Sequence, residues 1–375
     1  MSIFGSNEKE RKFRYAVVGL GWIAQETVLP SFKHMHHSEL TALVTDDPEK
    51  ARELGEKYGV SHVVDYQGYE DLLRNGAVDA VYIATPNNTH KDFTVRAAQA
   101  GIHVLCEKPM ADSVAECQEM IDACKTNHVK LMIAYRLHFE PSNLNVIQRI
   151  QTGEIGEPRI FNSVFSQQTP ATNIRLRREF GGGPLMDLGV YQINAARYLF
   201  RDEPVSVTAV GVHGNDPRFS DVHEMVSAIL HFPNDRLAAF TCSLGATAHN
   251  SYSVVGTKGE MMLQPSFEYG EKPALTMKTE GKEEKFTFDT TDQFGGEIEY
   301  FSRCILEDKE PEPSGYEGLA DIRIVQALID SARSGQSITL APYARSARPD
   351  ETQKVEKPPV KYEKKYVHAQ SAAGE

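Results

Sequence analysis

Lys108, in the run "CEKPM", and Asp187 and Tyr191, in "GGGPLMDLGVYQINAARYL", are the side chains of this chain whose types and spacing suit proton transfer. Asp187 and Tyr191 stand four positions apart, so a helix places both on one face. A free phenol has a pKa of about 10, and a neighbouring cation brings it toward neutrality, where it can accept and return a proton. Lys108, at the carboxyl end of a predicted parallel strand where such sheets bind ligands, suits being that cation, and its ammonium also suits a substrate oxygen on which negative charge grows, although it equally reads as an ordinary exposed lysine. Asp187 suits orienting the lysine or binding a substrate hydroxyl. An Asp–Tyr pair on a helix equally serves as an internal polar contact, and spacing alone leaves both uses open.

A second constellation opens the chain. In "YAVVGLGWIAQE", an apolar run leads into Gly19, Gly21 and Ala24 at the spacing G-x-G-x-x-A. The spacing alone matches many turns, but here it follows a predicted strand and precedes a predicted helix, the context that makes it a dinucleotide fingerprint. Gly19 permits the tight turn, Gly21 lets a pyrophosphate approach the backbone, and Ala24 lets the helix pack on the strand. The end of the next predicted strand reads "LVTDDPEKA". Asp46 there suits the ribose of NAD, whereas Thr45 and Lys50 suit the 2′-phosphate of NADP; Lys50 also reads as a solvated residue at a helix start.

The elements that must position these residues alternate. From residue 14, the apolar runs "RYAVVG", "LTALVT", "HVVD", "VDAVYIAT", "HVLCEKP" and "KLMIAY" are separated by helix-like stretches. That order predicts a parallel, doubly wound Rossmann-type sheet over residues 1–135. Beyond residue 200, closely spaced strand-like runs from "VSVTAVGV" to "EKFTFD" predict a large, mostly antiparallel open sheet in an α+β domain, residues 136–342, serving substrate binding and oligomerisation. Two late helices, around "GEIEYFSRCILED" and "GLADIRIVQALIDSARSG", either cover this sheet or return to the first domain. Residues 343–375 are polar, lysine-rich and without apolar period, so a flexible tail is expected.

Composition narrows the function classes. A net charge of −12 disfavours nucleic acid as a partner, and no apolar run approaches the roughly 18 residues of a membrane span. The first dozen residues lack the pattern of an export signal, so the cytoplasm is the expected compartment. Five cysteines without a C-x-x-C pair argue against a disulfide framework and a zinc site, and "HMHH", residues 34–37, reads as a polar loop rather than a metal site.

Taken together, the glycine turn, "ATPNNTH", "CEKPM", "LMIAYRLHFEP", "RLRREFGGGPLMDLGVYQINAARYL" and "SVVGTKGE" resemble the glucose–fructose oxidoreductase branch of the Gfo/Idh/MocA oxidoreductases. Within it, the likeness is strongest to NADP-dependent D-xylose and other aldose 1-dehydrogenases, and it runs from about residue 14 to residue 341. The resemblance implies hydride transfer between a nicotinamide cofactor and C1 of an aldose, with Lys108, Asp187 and Tyr191 catalytic. It implies cofactor contacts from Gly19, Gly21, Trp22, Ile23 and Ala24 on the turn, from Thr45, Asp46 and Lys50 after the second strand, and from Ala84, Pro86, Asn87 and His90 after the fourth. Glu107, Lys108 and Arg136 complete that set. Lys108, His138, Arg175, Arg177, Asp187 and Tyr191 are the implied sugar contacts, although the arginines also read as structural. NADP is the preferred cofactor, with NAD the alternative that Asp46 keeps open. The implied partners are a sugar and a further copy of the chain, as a dimer or tetramer through the C-terminal sheet. Two other readings use the same residues differently: a dihydrodiol dehydrogenase or keto-sugar reductase on the same site, and a non-catalytic dinucleotide-binding sensor, which the full Lys–Asp–Tyr set disfavours.

Overall fold

Continuous apolar runs fold as strands buried on both faces, and six of them form the first sheet of the computed structural model, which describes residues 11–345, 347–362 and 365–373. They are β1 (Phe13–Val18), β2 (Ser38–Val44), β3 (His62–Val64), β4 (Ala80–Ile83), β5 (His103–Glu107) and β6 (Leu131–Ala134). All pair in parallel, in the order β3-β2-β1-β4-β5-β6. The order reverses between β1 and β4, and the crevice outside the carboxyl ends of the strands at such a switch point is where doubly wound sheets bind ligands. Every segment expected to meet a cofactor leaves a strand at that end. The chain following β2 enters α2 (Pro48–Tyr58), whose start is fixed by Pro48 and by the Asp47 carboxylate, which accepts from Glu49 N and Lys50 N.

Among the described residues, the second sheet has nine strands in the order β14-β13-β12-β11-β7-β10-β9-β8-β15, the last being the short edge strand Ile338–Thr339. From β8 (Ser206–Val212) through β9 (Met225–Phe232), β10 (Arg236–Ser243), β11 (Gly245–Gly256), β12 (Gly259–Gln264), β13 (Ala274–Thr279) and β14 (Lys282–Thr287), it follows the expected meander. Its centre does not. The strand β7 (Pro158–Gln168) has no counterpart among the predicted elements, yet it pairs antiparallel with β11 and parallel with β10. Its inward side chains include Ser163 and Gln167, while Ile160 and Val164 point to solvent, so its apolar pattern reads inside out.

Helices cover one face of this sheet: α6 (Pro141–Gln151), α7 (Val190–Phe200) and α9 (Gly315–Ser334), which also packs on β6 and α5 (Val114–Thr126) of the first half. Helix α8 (Gln293–Leu306) returns fully to the first sheet. Its Phe294, Ile298 and Phe301 pack in one cluster with Tyr15, Val17 and Leu105.

The polar tail is corrected by the structure. The described residues after 342 follow the surface in extended segments and are pinned by specific contacts: Arg345 to Glu312, Arg348 to Glu203, Lys357 to Glu299 and Asn173 to the Ser371 carbonyl. The segment has no apolar period because ion pairs and backbone hydrogen bonds, which leave no periodic signal, hold it. Residues 1–10, 346, 363, 364, 374 and 375 lie outside the described residues. At 34–37, the expected polar loop is tied down as well, since His37 Nδ1 meets Glu299 Oε1 of α8 at 2.6 Å.

Candidate active site

A cleft of about 570 Å³ follows the carboxyl ends of the first sheet and is walled on its far side by β7 and the start of α7. Its floor is the glycine turn. Gly19 has φ +86°, and a Cβ there would lie 2.8 Å from the Ala84 carbonyl, so only glycine fits. At Gly21 a Cβ would meet nothing within 4 Å, which leaves open space above the backbone. Trp22 and Ile23 line the cleft beside it, and the Trp22 indole N–H is buried without a hydrogen-bond acceptor among the described residues. Ala24 is fully buried beneath the turn and packs rather than contacts the cleft.

Thr45 and Lys50 line one end. Burial pushes the Lys50 pKa down against the opposing charge of Asp47, and among the described residues its ammonium forms no ion pair. Asp46 departs from expectation. It is exposed, does not line the cleft, and accepts from Tyr66 N at 2.7 Å. Ala84, Pro86, Asn87 and His90 form the opposite rim. Asn87 Nδ2 donates to the Gly181 carbonyl at 2.9 Å, and the buried His90 ring bridges the carbonyls of Thr85 and Pro109, tying the β4 loop to the Lys108 loop. The Lys50 ammonium and Thr45 hydroxyl of this end, with the open space above the backbone at Gly21, fit a dinucleotide with an anionic linker.

At the other end the catalytic candidates meet. Leu185–Gly189 is a π-helical turn that continues into α7, and the widened turn carries Asp187 and then Tyr191 into the cleft. Lys108 Nζ donates to the Asp187 carbonyl at 3.0 Å and approaches its Oδ1 at 3.4 Å. Arg175 Nε donates to Asp187 Oδ2 at 2.8 Å. Burial would raise the Asp187 pKa, but Arg175 and Lys108 outweigh it and hold the carboxyl below its ordinary value. Lys108 Nζ lies 4.6 Å from the centroid of the Tyr191 ring, over its face. The cation at the phenol oxygen is Arg136, whose Nη2 lies 3.4 Å from Tyr191 Oη. That division corrects the expectation that Lys108 alone serves the phenol. Arg136 is itself held by Gln293 and the Phe267 carbonyl.

Glu107, beside Lys108, accepts from Tyr82 Oη at 2.8 Å, and the same phenol meets Glu297 Oε1 at 2.9 Å. One hydroxyl hydrogen cannot serve two carboxylates, so one of these acids holds a proton. Burial pushes both upward.

Two expected sugar contacts lie elsewhere. His138 is fully buried, with Nδ1 on Glu312 at 2.9 Å and Nε2 on Asn194 at 2.7 Å, and does not reach the cleft. Arg177 is exposed and 3.8 Å from Glu179. Both stand in segments that feed the site, and type and proximity in sequence could not show which way they turn. Conversely, sequence reasoning passed over Gln167, which lies 3.4 Å from Asp187 Oδ2, and Glu268 and Tyr269, which line the cleft beside Arg136. The alternation of Phe161, Ser163, Phe165 and Gln167 is the signal that exposes Gln167, once polar residues are allowed on the inner face.

The 3-2-1-4-5-6 sheet with its glycine turn, facing a large open second sheet across one cleft, defines a two-domain protein of the dinucleotide-binding class. Two family models match: "Oxidoreductase family, NAD-binding Rossmann fold" over residues 13–135 and "GFO/IDH/MocA C-terminal domain" over residues 144–262. The chain belongs to the Gfo/Idh/MocA oxidoreductase family. It is 33% identical over 337 residues to a D-xylose 1-dehydrogenase [NADP(+)] of Haloarcula marismortui, covering 87% of this chain and 93% of that one. Among solved structures, an aldose–aldose oxidoreductase of Caulobacter crescentus superposes with TM-score 0.84 at 38% identity, over 88% of this chain and all of the other. A 3-ketoreductase of Actinomadura kijaniata, in complex with NADP and TDP-benzene, superposes with TM-score 0.79 at 27% identity, over 86% and 98%.

Proposed function

We propose that this protein is an NADP-dependent sugar oxidoreductase that acts at C1 of an aldose and yields the lactone. The observation that carries the reading is the meeting of Lys108, Asp187, Tyr191 and Arg136 at one end of a cleft whose floor is the open glycine turn and whose other end holds Thr45 and Lys50. The likeness to a D-xylose 1-dehydrogenase [NADP(+)] and to an aldose–aldose oxidoreductase supports the substrate class and the cofactor. Thr45 and Lys50 support the 2′-phosphorylated form, because Asp46 turns away from the cleft.

The residues that would hold the dinucleotide are Gly19, Gly21, Trp22 and Ile23 at its linker and Thr45 and Lys50 at its adenosine end. When bound, it supplies the hydride acceptor. Arg136 stabilises the phenolate form of Tyr191, whose Oη takes the proton of the sugar hydroxyl and becomes the neutral phenol as the hydride leaves C1. Lys108 is held by Asp187 and Arg175 fixes Asp187 in turn, so the ammonium keeps its place over the phenol ring and faces the substrate oxygen. A keto-sugar reduction on the same residues is the second reading, supported by the likeness to the 3-ketoreductase. A kinetic panel of aldoses, keto-sugars and aromatic diols, each with NADP and NAD in both directions, tests the reading; turnover confined to keto-sugars or diols would overturn it.

The uncovered face of the second sheet carries Ile160, Val164, Val210, Ile229, Leu237 and Met262, each at least 42% exposed. The ladder registers place all six on the side away from the helices. An apolar face of this kind supports self-association as a dimer or tetramer. Light scattering of the wild type and Ile229→Lys tests it, with a monomeric wild type as the refuting result. No helix among the described residues is long and apolar enough to cross a membrane. Five buried, unpaired cysteines support a reducing compartment such as the cytoplasm.

A further inference from the structure

Residues 365–373 lie across the mouth of the cleft as a strap tied on both sides. On the side of the parallel sheet, the buried Gln25 carboxamide accepts from Val367 N at 2.8 Å and donates to Val367 O at 2.9 Å, and Tyr366 Oη donates to Glu26 at 3.0 Å. On the side of the second sheet, Thr172 Oγ1 donates to Gln370 at 2.8 Å and Asn173 Nδ2 donates to the Ser371 carbonyl at 3.2 Å. Between these anchors, His368 adopts φ +43° and sets its ring against the first turn of α2. Its Nδ1 lies 2.8 Å from Asp47 Oδ2 and its Nε2 lies 2.9 Å from Glu49 Oε2. With a carboxylate at each nitrogen, the ring donates from both and is the imidazolium. The same residue lines the cleft beside Thr45, Lys50 and Tyr66.

The local charge explains why such a ring matters. Lys50 is flanked on its own turn by Asp47 and Glu49, two negative charges where a phosphate would have to approach. Asp47 is fixed there, because its carboxylate caps α2 through Glu49 N and Lys50 N at 3.0 and 3.1 Å. Without a counter-charge, the turn repels the group that Thr45 and Lys50 are placed to bind.

We propose that His368, delivered by the C-terminal strap, is a specificity-determining residue for 2′-phosphorylated dinucleotides: it neutralises the Asp47–Glu49 turn so that Lys50 and Thr45 accept the 2′-phosphate. The proposal rests on the dinucleotide reading above. It assigns a role in cofactor choice to the segment that the sequence presents as a featureless tail.

The chain contains a single tryptophan, Trp22, and it lines the cleft, so its fluorescence reports binding directly. Full-length wild type, His368→Ala and His368→Ala/Asp47→Asn are each titrated with NADP and, separately, with NAD. His368→Ala weakens NADP by about tenfold, the effect of one unit of charge at close range in a surface dielectric, and leaves NAD within about twofold. Adding Asp47→Asn, which retains an oxygen to cap α2, restores most of the NADP affinity. Equal weakening of both dinucleotides, or an unchanged ratio, overturns the specificity role. A wild type that binds neither dinucleotide by fluorescence or calorimetry overturns the dinucleotide reading instead. Unchanged thermal melting of the variants confirms that the comparison is between folded proteins.

Discussion

Two clusters of buried charge stand about two turns apart on one continuous helical segment, Leu185–Phe200. At its start, Asp187 and Tyr191 face the cleft, and although Arg175 holds Asp187 Oδ2 at 2.8 Å, the contacts nearest the reacting groups are long: 3.4 Å from Asp187 Oδ1 to Lys108, and 3.4 Å from the phenol to Arg136. Two turns later, Arg197 is completely buried and every guanidinium nitrogen is engaged, by Glu203, Glu317 and Asp321, at 2.6–3.1 Å. Asn194 joins Glu317, Asp321 and His138 in the same knot. The saturated cluster has no donor left for a ligand and locks α7 to α9. The unsaturated one keeps donors and a phenol exposed to the cleft, at the cost of charge that only a bound partner completes.

The sharpest break between the two is expected from Tyr191→Phe. Turnover on the best sugar falls by about two to four orders of magnitude, the usual worth of general acid–base catalysis, while dinucleotide affinity and the melting temperature stay near wild type. Near-native turnover would make this turn a packing element like the next. Arg197→Met reverses the pattern. It removes the cation that Glu203, Glu317 and Asp321 share, leaves Asp321 without one among the described residues, and lowers stability by about 3–5 kcal/mol, read by denaturant unfolding, and the loss extends to the whole molecule rather than to one kinetic parameter.

The acid limb of unfolding separates the clusters further. Burial would raise Glu317, but Arg197 and Arg345 outweigh it and bring the carboxyl from 4.5 down to about 2. Its neighbour Asp321 goes the other way, up to about 6, because burial and the adjacent Glu317 charge exceed the pull of Arg197. A depressed carboxyl stabilises the fold above its unfolded value and loses that contribution as protons bind. Wild-type stability therefore falls as pH drops from 4.5 toward 2, and Glu317→Gln flattens that part of the curve. An acid limb of the same slope in the variant would place the linkage elsewhere.

Asp187→Asn is expected to be milder. It leaves Lys108 and Arg175 without their shared carboxylate and reduces turnover by about ten- to a hundredfold, in line with about 1.5–3 kcal/mol for a charged hydrogen bond, with little change in melting. The smallest effect belongs to Gly21→Ala. Its added methyl meets no protein atom, so the fold is untouched, but it enters the space above the turn and weakens dinucleotide binding by about fivefold, roughly 1 kcal/mol. The same change at Gly19 collides with Ala84 and unsettles the turn itself.

Local signals made the first half of the molecule legible. The strands of the parallel sheet, the glycine turn and the start of α2 all follow from short stretches of residues, because steric demands at Gly19, capping by Asp47 and continuous apolar runs act between near neighbours. The second half was legible only where its alternation was regular. β7 escaped because Ile160 and Val164 point outward, and whether that face meets solvent or another copy is not written in its own residues.

By itself the sequence determined the alternation that builds the first sheet, the glycine turn that opens it and the pairing of Asp187 with Tyr191 on one helix face. The tertiary structure alone decided which cation meets the phenol, why His138 serves the core rather than the cleft, and where the last segment of the chain runs. Arg136 and Tyr191 are separated by 55 positions, and His368 and Asp47 by 321. Such pairs depend on how two sheets and a returning strand of chain pack against one another, and that packing is a property of the whole molecule with no local period or spacing to announce it.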